Sequence, residues 1–134
     1  EVQDLVEVRE HLEVLAASLA ARRASRQDVQ RLKAHVEQMR RCETVEDFVE
    51  ADLAFHLETA LIARNGVLQS LLDSIRSLLR AWFDRTLRVE GTMSATLKEH
   101  EEVFDAIRRR SAADAEQAMK LLMDRADQRL KDTL

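Results

Sequence analysis

A chain of 134 residues with 34% charged side chains and a formal net charge of −4 is long enough for one domain around a single core. Its mildly acidic balance excludes the clustered basic face of a nucleic-acid-binding domain, and no apolar run approaches the roughly 20 residues of a membrane span. Proline is absent and glycine occurs only twice, so the composition predicts an all-α fold. The single cysteine, Cys42, cannot form an internal disulfide, which agrees with a reducing cytoplasm.

Two helices are predicted before residue 42. The first spans about 4–23, and its predicted buried face consists of Leu5, Val8, Leu12, Leu15, Ala16 and Leu19. Arg9 and Glu13 lie at the edge of that face. Ser25 precedes the second helix as its predicted N-cap, with Asp28 in the third position.

A third helix is predicted from Thr44, whose spacing to Asp47 resembles a capping box, to about Arg64. Asn65 and Gly66 predict the clearest chain reversal, because both residue types tolerate the left-handed backbone that ends a helix. The fourth helix is the most apolar element, so we expect it to lie at the centre of the fold. Its apolar residues are Val67, Leu68, Leu71, Leu72, Ile75, Leu78, Leu79, Trp82 and Phe83.

The fifth helix is predicted over about 93–110, and Ser111 opens the sixth with Asp114 in the third position. Six helices with short connections predict an up-and-down antiparallel bundle that occupies residues 1–134 as one domain. The chain starts with Glu1 rather than Met and enters a helix at once, so we expect it to be a fragment of a longer protein.

Three residues are candidate metal ligands. Asp52 and His56 are four residues apart and share the apolar stripe of the third helix, whereas His100 lies in the middle of the fifth helix's stripe. An ionised carboxylate that points into a bundle is unfavourable unless it is paired, hydrogen-bonded or bound to a cation. One oxygen and two nitrogen ligands suit zinc, nickel, manganese or ferrous iron.

Other interpretations of the polar residues stay open. His100 also fits a buried network in which it bonds to a carboxylate and no metal is present. His11 and His35 point away from the apolar stripes of their helices and are interpreted as solvated side chains. Arg9 and Arg76 lie at the flanks of buried faces, where an arginine either clamps a carboxylate or extends its stem over the core with its head in water.

Catalysis has little support in the sequence. No serine or cysteine stands in a nucleophile turn, no glycine-rich phosphate loop exists, and the Glu-x-x-His pairs of a di-iron bundle are absent. We therefore predict that the protein is not an enzyme. The alternatives are a metal-dependent enzyme on a helical bundle and a purely structural dimerisation bundle.

Five features follow one another in a known order and spacing. They are DLVEVREHLE at 4–13, DLAFH at 52–56, the turn at Asn65, HEEVFDAI at 100–107 and DAEQAM at 114–119. Together they resemble the FCD domain, the C-terminal effector-binding domain of the FadR subfamily of GntR-type bacterial transcription regulators. The resemblance implies a homodimeric, cytoplasmic antiparallel bundle of six to seven helices. It also implies that operator DNA is bound by an N-terminal winged helix-turn-helix domain, which is absent from this chain.

The resemblance also implies a ligand set. In many family members one aspartate and three histidines hold a divalent metal, and a small carboxylate effector binds to the metal and nearby arginines. Asp52, His56 and His100 fall on three of those four positions, but Leu122, three residues after Met119, replaces the fourth histidine. The metal, zinc or nickel, is then held with water or effector oxygens, or is lost as in metal-free members that bind a more apolar effector.

These observations predict a ligand-sensing domain that modulates DNA binding by a full-length dimer. The predicted metal ligands are Asp52, His56 and His100, and the predicted effector-binding residues are Arg9 and Arg76.

Overall fold

The computed structural model describes residues 1–133, which form six α-helices and no β-strand within that range. The helices are α1 (Val2–Arg23), α2 (Arg26–Arg41), α3 (Val45–Ile62), α4 (Gly66–Leu87), α5 (Thr92–Arg108) and α6 (Ala112–Thr133). The predicted all-α bundle is confirmed, and the helix bounds agree closely with the predicted ones. Among these six helices, none combines the length and the apolar character needed to cross a membrane.

Side-chain caps explain where α2 and α3 begin. Ser25 and Asp28 form a complete capping box, in which each side chain accepts a hydrogen bond from the other residue's backbone N–H. The hydroxyl of Thr44 accepts a hydrogen bond from the backbone N–H of Asp47 at the start of α3. Both helix starts were correctly predicted because a cap is a local feature of the sequence.

The reversal between α3 and α4 occurs one residue earlier than predicted. Arg64 has a φ of 54°, in the left-handed region, whereas Asn65 is extended and caps α4 by accepting a hydrogen bond from the N–H of Leu68. Gly66 is already the first residue of α4. A non-glycine residue in this conformation costs about 1 kcal/mol. The Arg64 side chain offsets that cost through a 2.8 Å bond to the Asp28 carboxylate.

The buried face of α1 differs from the predicted one. Val8 and Leu15 are about half exposed, although the periodicity placed them inside. The residues that are buried are small or charged: Val6, Arg9, Glu13, Ala16, Ala17, Ser18, Ala20 and Ala21. The alanines let α1 approach its neighbours closely, and Arg9 and Glu13 lie on the same buried face.

Helix α4 has one buried and one exposed apolar face, so the expectation of a fully central helix is wrong. The core-facing residues are Leu68, Leu72, Ile75 and Leu79. Val67, Leu71 and Leu78 are 73%, 48% and 64% exposed. Because these three recur at spacings of four and seven residues, they form one stripe, which we call the α4 outer stripe.

The main core lies beside the candidate metal ligands. Its largest buried side chains include Leu32, Met39, Phe48, Phe55, Ile62, Ile107 and Met119. Phe55 connects this core to the site, because its ring centroid lies 5.5 Å from that of His56 and 4.9 Å from that of His100. Both imidazoles meet the phenyl ring edge to face, which is a favourable aromatic arrangement and restricts their rotation.

Candidate metal centre

Three side chains from two helices converge on one point. Asp52 and His56 lie one turn apart on α3, and His100 lies on α5. Nε2 of His100 is 2.8 Å from Oδ1 of Asp52 and 2.9 Å from Nε2 of His56. Nε2 of His56 is 3.2 Å from the same Oδ1. The structure therefore brings the three predicted ligands close enough together to hold one metal ion.

The outer nitrogens of the two imidazoles both face acceptors. Nδ1 of His100 is 2.7 Å from the carbonyl oxygen of Thr96, so this nitrogen carries a hydrogen. Nδ1 of His56 is buried and lies 3.3 Å from Oε1 of Glu13, at an angle that does not make a regular hydrogen bond. With a proton on each Nδ1, both neutral rings direct an Nε2 lone pair towards Asp52.

Three acceptor atoms that face one another at this distance repel unless positive charge lies between them. Two additional protons or one divalent cation would remove this repulsion. Burial by itself would lower the pKa of His56, but the carboxylates of Glu13 and Asp52 outweigh burial and raise it. Burial would likewise raise the pKa of Asp52, but the neighbouring His100 and His56 hold it well below its usual range. The site is therefore built to stabilise positive charge.

The spacing of the donor atoms fits a metal. Adjacent ligands lie about 3.0 Å apart around an octahedral ion and about 3.4 Å apart around a tetrahedral one, for metal–ligand bonds of about 2.1 Å. The observed separations of 2.8, 2.9 and 3.2 Å are compatible with one shared ion, and they are also the distances of hydrogen bonds. Two histidines and one carboxylate on one face of such an ion leave positions open for other ligands.

Leu122 occupies the position where the resemblance implies a fourth ligand. It is buried on α6 and lines the same cavity as Asp52, His56 and His100. A leucine side chain has no donor atom for a metal, so α6 contributes an apolar wall at this point rather than a ligand.

A small cavity adjoins the three ligands. Its volume is about 50 Å³, and its polar lining consists of the three ligands together with Arg9, Thr86, Thr96, Asp127 and Arg129. The rest of the wall is mainly apolar: Val6, Phe83, Leu87, Leu122, Met123, Ala126 and Leu130. Since one water needs at least about 10–15 Å³, the cavity has room for a few waters.

The two predicted effector-binding arginines lie in different environments. Arg9 lines the cavity, where its guanidinium lies 4.7 Å above the ring of Phe83 and its Nε is 3.3 Å from Oε2 of Glu13. Arg76 is not among the residues that line this cavity. Its Nε and Nη2 donate to the two carboxylate oxygens of Glu13 at 3.1 and 2.7 Å. Only Arg9 is therefore positioned to reach a ligand in the cavity directly.

Glu13 is a residue of the site that the sequence interpretation placed only at a helix edge. It is fully buried and contacts Arg9, Arg76 and His56. Burial would raise the pKa of this carboxyl, but His56 and Arg76 outweigh burial and hold it well below its usual range. The available signal was the four-residue spacing of Arg9 and Glu13, which looks the same for a surface pair.

Arg129 on α6 is a second cavity residue that the sequence interpretation missed. Its Nη1 donates to Oε1 of Glu99 at 3.0 Å and to the hydroxyl of Thr96 at 3.2 Å. Because Glu99 is itself buried, this pair fixes the guanidinium against α5 at the edge of the cavity.

Comparison with known proteins agrees with this architecture. The family model described as "FCD domain" matches residues 4–125. The chain is 36% identical over 133 residues to the galactonate operon transcriptional repressor of Escherichia coli (strain K12), a match covering 98% of this chain and 58% of that protein. It is 32% identical over 125 residues to the HTH-type transcriptional regulator LutR of Bacillus subtilis (strain 168), covering 89% of this chain and 57% of that protein. The chain thus spans less than three fifths of the length of these relatives.

A solved structure shows the same arrangement of helices. E. coli McbR/YncC superposes with a TM-score of 0.86 over 98% of this chain and 68% of that chain, at 12% sequence identity. At this identity the likeness concerns the fold alone, which is the all-α bundle described above.

Proposed function

This chain belongs to the FCD domain family, and from that membership we propose that it is the ligand-sensing domain of a GntR-family transcription regulator of the FadR subfamily. It binds a small carboxylate effector, and binding modulates the affinity of a full-length dimer for operator DNA. The relatives that it matches are transcription regulators, so the family is not one of enzymes. The observation that carries the proposal is the convergence of Asp52, His56 and His100 beside a cavity that also contains Arg9.

A divalent metal, zinc or nickel, is part of the proposal. Asp52, His56 and His100 would hold it, and their three facing acceptor atoms support this role. A bound ion would supply positive charge and open coordination positions for oxygen atoms of the effector. Because Leu122 offers no donor, one more of those positions is left to water or effector than in a four-ligand site.

We propose that Arg9 binds the carboxylate of the effector. The guanidinium of Arg9 donates through Nε to Glu13 and lines the cavity, so its other N–H groups remain available to a ligand there. Arg76 contributes indirectly, because it holds Glu13 in place. The name of the E. coli relative refers to galactonate, a sugar acid, so hydroxylated carboxylates are the first compounds to screen.

The homodimer is supported by the α4 outer stripe. Val67, Leu71 and Leu78 expose apolar surface in a row along one helix, and monomeric proteins rarely leave such contiguous patches uncovered. A second copy of the chain is the proposed partner for this face. In the full-length protein the DNA-binding domain would precede α1, the helix that carries Arg9 and Glu13. An effector then changes DNA binding only as far as it binds one dimer conformation better than the other.

The first experiment is elemental analysis of the purified chain, combined with thermal melts with and without added zinc or nickel. We expect near-stoichiometric metal and a saturable rise in melting temperature that disappears in His56→Ala. His35→Ala is the matched control, because that imidazole lies on α2, is part-exposed and contacts Glu58 instead. A carboxylate should then raise the melting temperature of the metal-loaded chain further.

The alternatives predict different outcomes. A purely structural dimerisation bundle predicts no saturable stabilisation by any metal or carboxylate. Stabilisation by apolar acids without any metal would mean that Asp52, His56 and His100 form a polar network that lines a metal-free pocket.

A further inference from the structure

We infer that Glu13 is a positioning residue of the metal site: its carboxylate, on α1, lies beside Nδ1 of His56 and its negative charge favours the proton on that nitrogen, so that the Nε2 lone pair faces Asp52 and His100. This inference deepens the proposed function and rests on it for the metal readout alone. The protonation state of His56 can be tested without any metal.

The carboxylate of Glu13 is held rigidly in its place. Arg76 donates to both of its oxygens at 2.7 and 3.1 Å, and Arg9 donates to Oε2 at 3.3 Å. Two guanidinium groups thus fix the direction in which Oε1 points, and that oxygen lies 3.3 Å from Nδ1 of His56. Because Glu13 is fully buried, water does not compete for this contact.

His56 needs such a partner, whereas His100 does not. Nδ1 of His100 donates to the carbonyl of Thr96, four residues earlier on the same helix, so α5 orients its own ligand. Nδ1 of His56 has no regular hydrogen bond within residues 1–133, and the nearby acceptor is Glu13 on α1. The orientation of His56 therefore depends on a contact between helices.

Two carboxylates compete for the single proton of a neutral His56. Oδ1 of Asp52 lies 3.2 Å from Nε2, and Oε1 of Glu13 lies 3.3 Å from Nδ1. A neutral imidazole carries its proton on the nitrogen that has the better acceptor. If the proton lies on Nε2, this nitrogen cannot bind a metal; if it lies on Nδ1, the lone pair of Nε2 is available. Glu13 favours the second state.

Glu13 does not itself replace the missing fourth ligand. It contacts the nitrogen of His56 that points away from Asp52 and His100, so its oxygens lie on the far side of the ring from the three converging atoms. Its effect on the metal is therefore transmitted through the imidazole. Hydrogen-bond partners of this kind orient metal-bound histidines in many proteins and strengthen metal binding.

The variant for the test is Glu13→Gln, which keeps the side chain's shape but removes its charge. Glu58→Gln is the matched control, since Glu58 also contacts an imidazole, Nε2 of His35 at 3.2 Å, but away from the site. The affinity for nickel is measured by competition with a chromophoric chelator. We expect Glu13→Gln to weaken nickel binding about 10- to 100-fold. We expect Glu58→Gln to leave it unchanged, and equal losses in the two variants would overturn the inference.

The second readout is the ¹⁵N chemical shifts of the His56 ring in the metal-free wild-type chain, at a pH where the ring is neutral. We expect a protonated Nδ1 and an unprotonated Nε2, and a larger share of Nε2–H in Glu13→Gln. A proton on Nε2 in the wild type contradicts the inference even if Glu13→Gln fails to fold. If the wild type binds neither nickel nor zinc, the proposed metal site fails, and the ring shifts still decide the role of Glu13.

Discussion

Nε2 of His56 and Nε2 of His100 lie 2.9 Å apart, although they belong to different helices. Both also share Oδ1 of Asp52 as their nearest oxygen. A metal bound by these atoms would therefore lie between α3 and α5. Leu122 on α6 lines the cavity beside that position.

Leu122→His should supply a fourth ligand, the third nitrogen of the set. We expect the affinity for zinc or nickel to rise at least about tenfold, because metal binding falls by a similar factor when a supporting group is lost. In the metal-free protein the same change should lower the free energy of unfolding by about 1–3 kcal/mol, since a polar ring replaces a buried leucine. Chelator competition and urea unfolding measure the two effects. Leu122→Met conserves the volume and supplies only a weak thioether, so it should leave metal affinity unchanged.

Arg9→Gln should weaken effector binding selectively. A hydrogen bond to a charged group contributes about 1.5–3 kcal/mol, so the affinity of the metal-loaded chain for galactonate or another active carboxylate should fall roughly 10- to 100-fold. Isothermal titration calorimetry measures this loss. Arg85→Gln is the control, because Arg85 also lies over an aromatic ring, that of Trp82, but does not line the cavity. An equal loss in both variants would argue against a direct contact by Arg9.

Arg76→Met should strongly destabilise the fold. The change leaves the fully buried Glu13 with its contacts to Arg9 and His56 alone, and breaking a buried ion pair from one side costs about 3–5 kcal/mol. The double variant Arg76→Met, Glu13→Gln should be less destabilised than the sum of the two single variants. Guanidinium unfolding of all four proteins provides the cycle, and strict additivity would contradict the pairing.

Asp28 should make the stability of the bundle depend on acid pH. Burial would raise its pKa, but the backbone N–H of Ser25 and the Arg64 guanidinium outweigh burial and lower it below 3.8. A lowered pKa in the folded state means that the stabilisation is present above about pH 4 and is lost as the pH falls through the folded value. Asp28→Asn should therefore be less stable than wild type at neutral pH by about 1–3 kcal/mol. The difference should shrink in urea unfolding as the pH is lowered through the folded-state pKa, and a constant difference would exclude this cause.

Leu78→Glu should disrupt the proposed dimer. The substitution introduces a charge into the α4 outer stripe at a residue that is already exposed in the single chain, so the fold itself should change little. Analytical ultracentrifugation should then detect monomers where the wild type sediments as a dimer. Leu121→Glu on α6 is the control, since Leu121 is another exposed leucine outside that stripe. A dimer that survives in Leu78→Glu would place the interface elsewhere.

The parts of the structure that the sequence predicted well are those that depend on local spacing. Ser25 and Thr44 cap helices through bonds to residues three positions away, and Asp52 and His56 meet because they lie one turn apart. His100 was recognised because it interrupts an apolar stripe. Each of these signals lies within a single helix.

The parts that were missed depend on contacts between helices. Half of the buried residues of α1 are alanines, which add little to a hydrophobic pattern. The prediction therefore followed the larger Val8 and Leu15, which are in fact exposed. Glu13 is buried because Arg76, 63 residues away in the sequence, neutralises it. The sequence pattern of α1 alone cannot indicate that Glu13 has a partner on α4. The left-handed Arg64 was missed because a distant carboxylate, not its residue type, stabilises that conformation.

Leu122 has a consequence for how the proposed sensor would respond to its surroundings. With one donor fewer from the protein, oxygen atoms of the effector would make up a larger share of the bonds to a bound ion. Linkage then requires that the effector raise the affinity for the metal by the same factor by which the metal raises the affinity for the effector. Such a domain would respond only when metal and effector are present together. At a low metal concentration it would not respond to an effector concentration that saturates it when metal is plentiful.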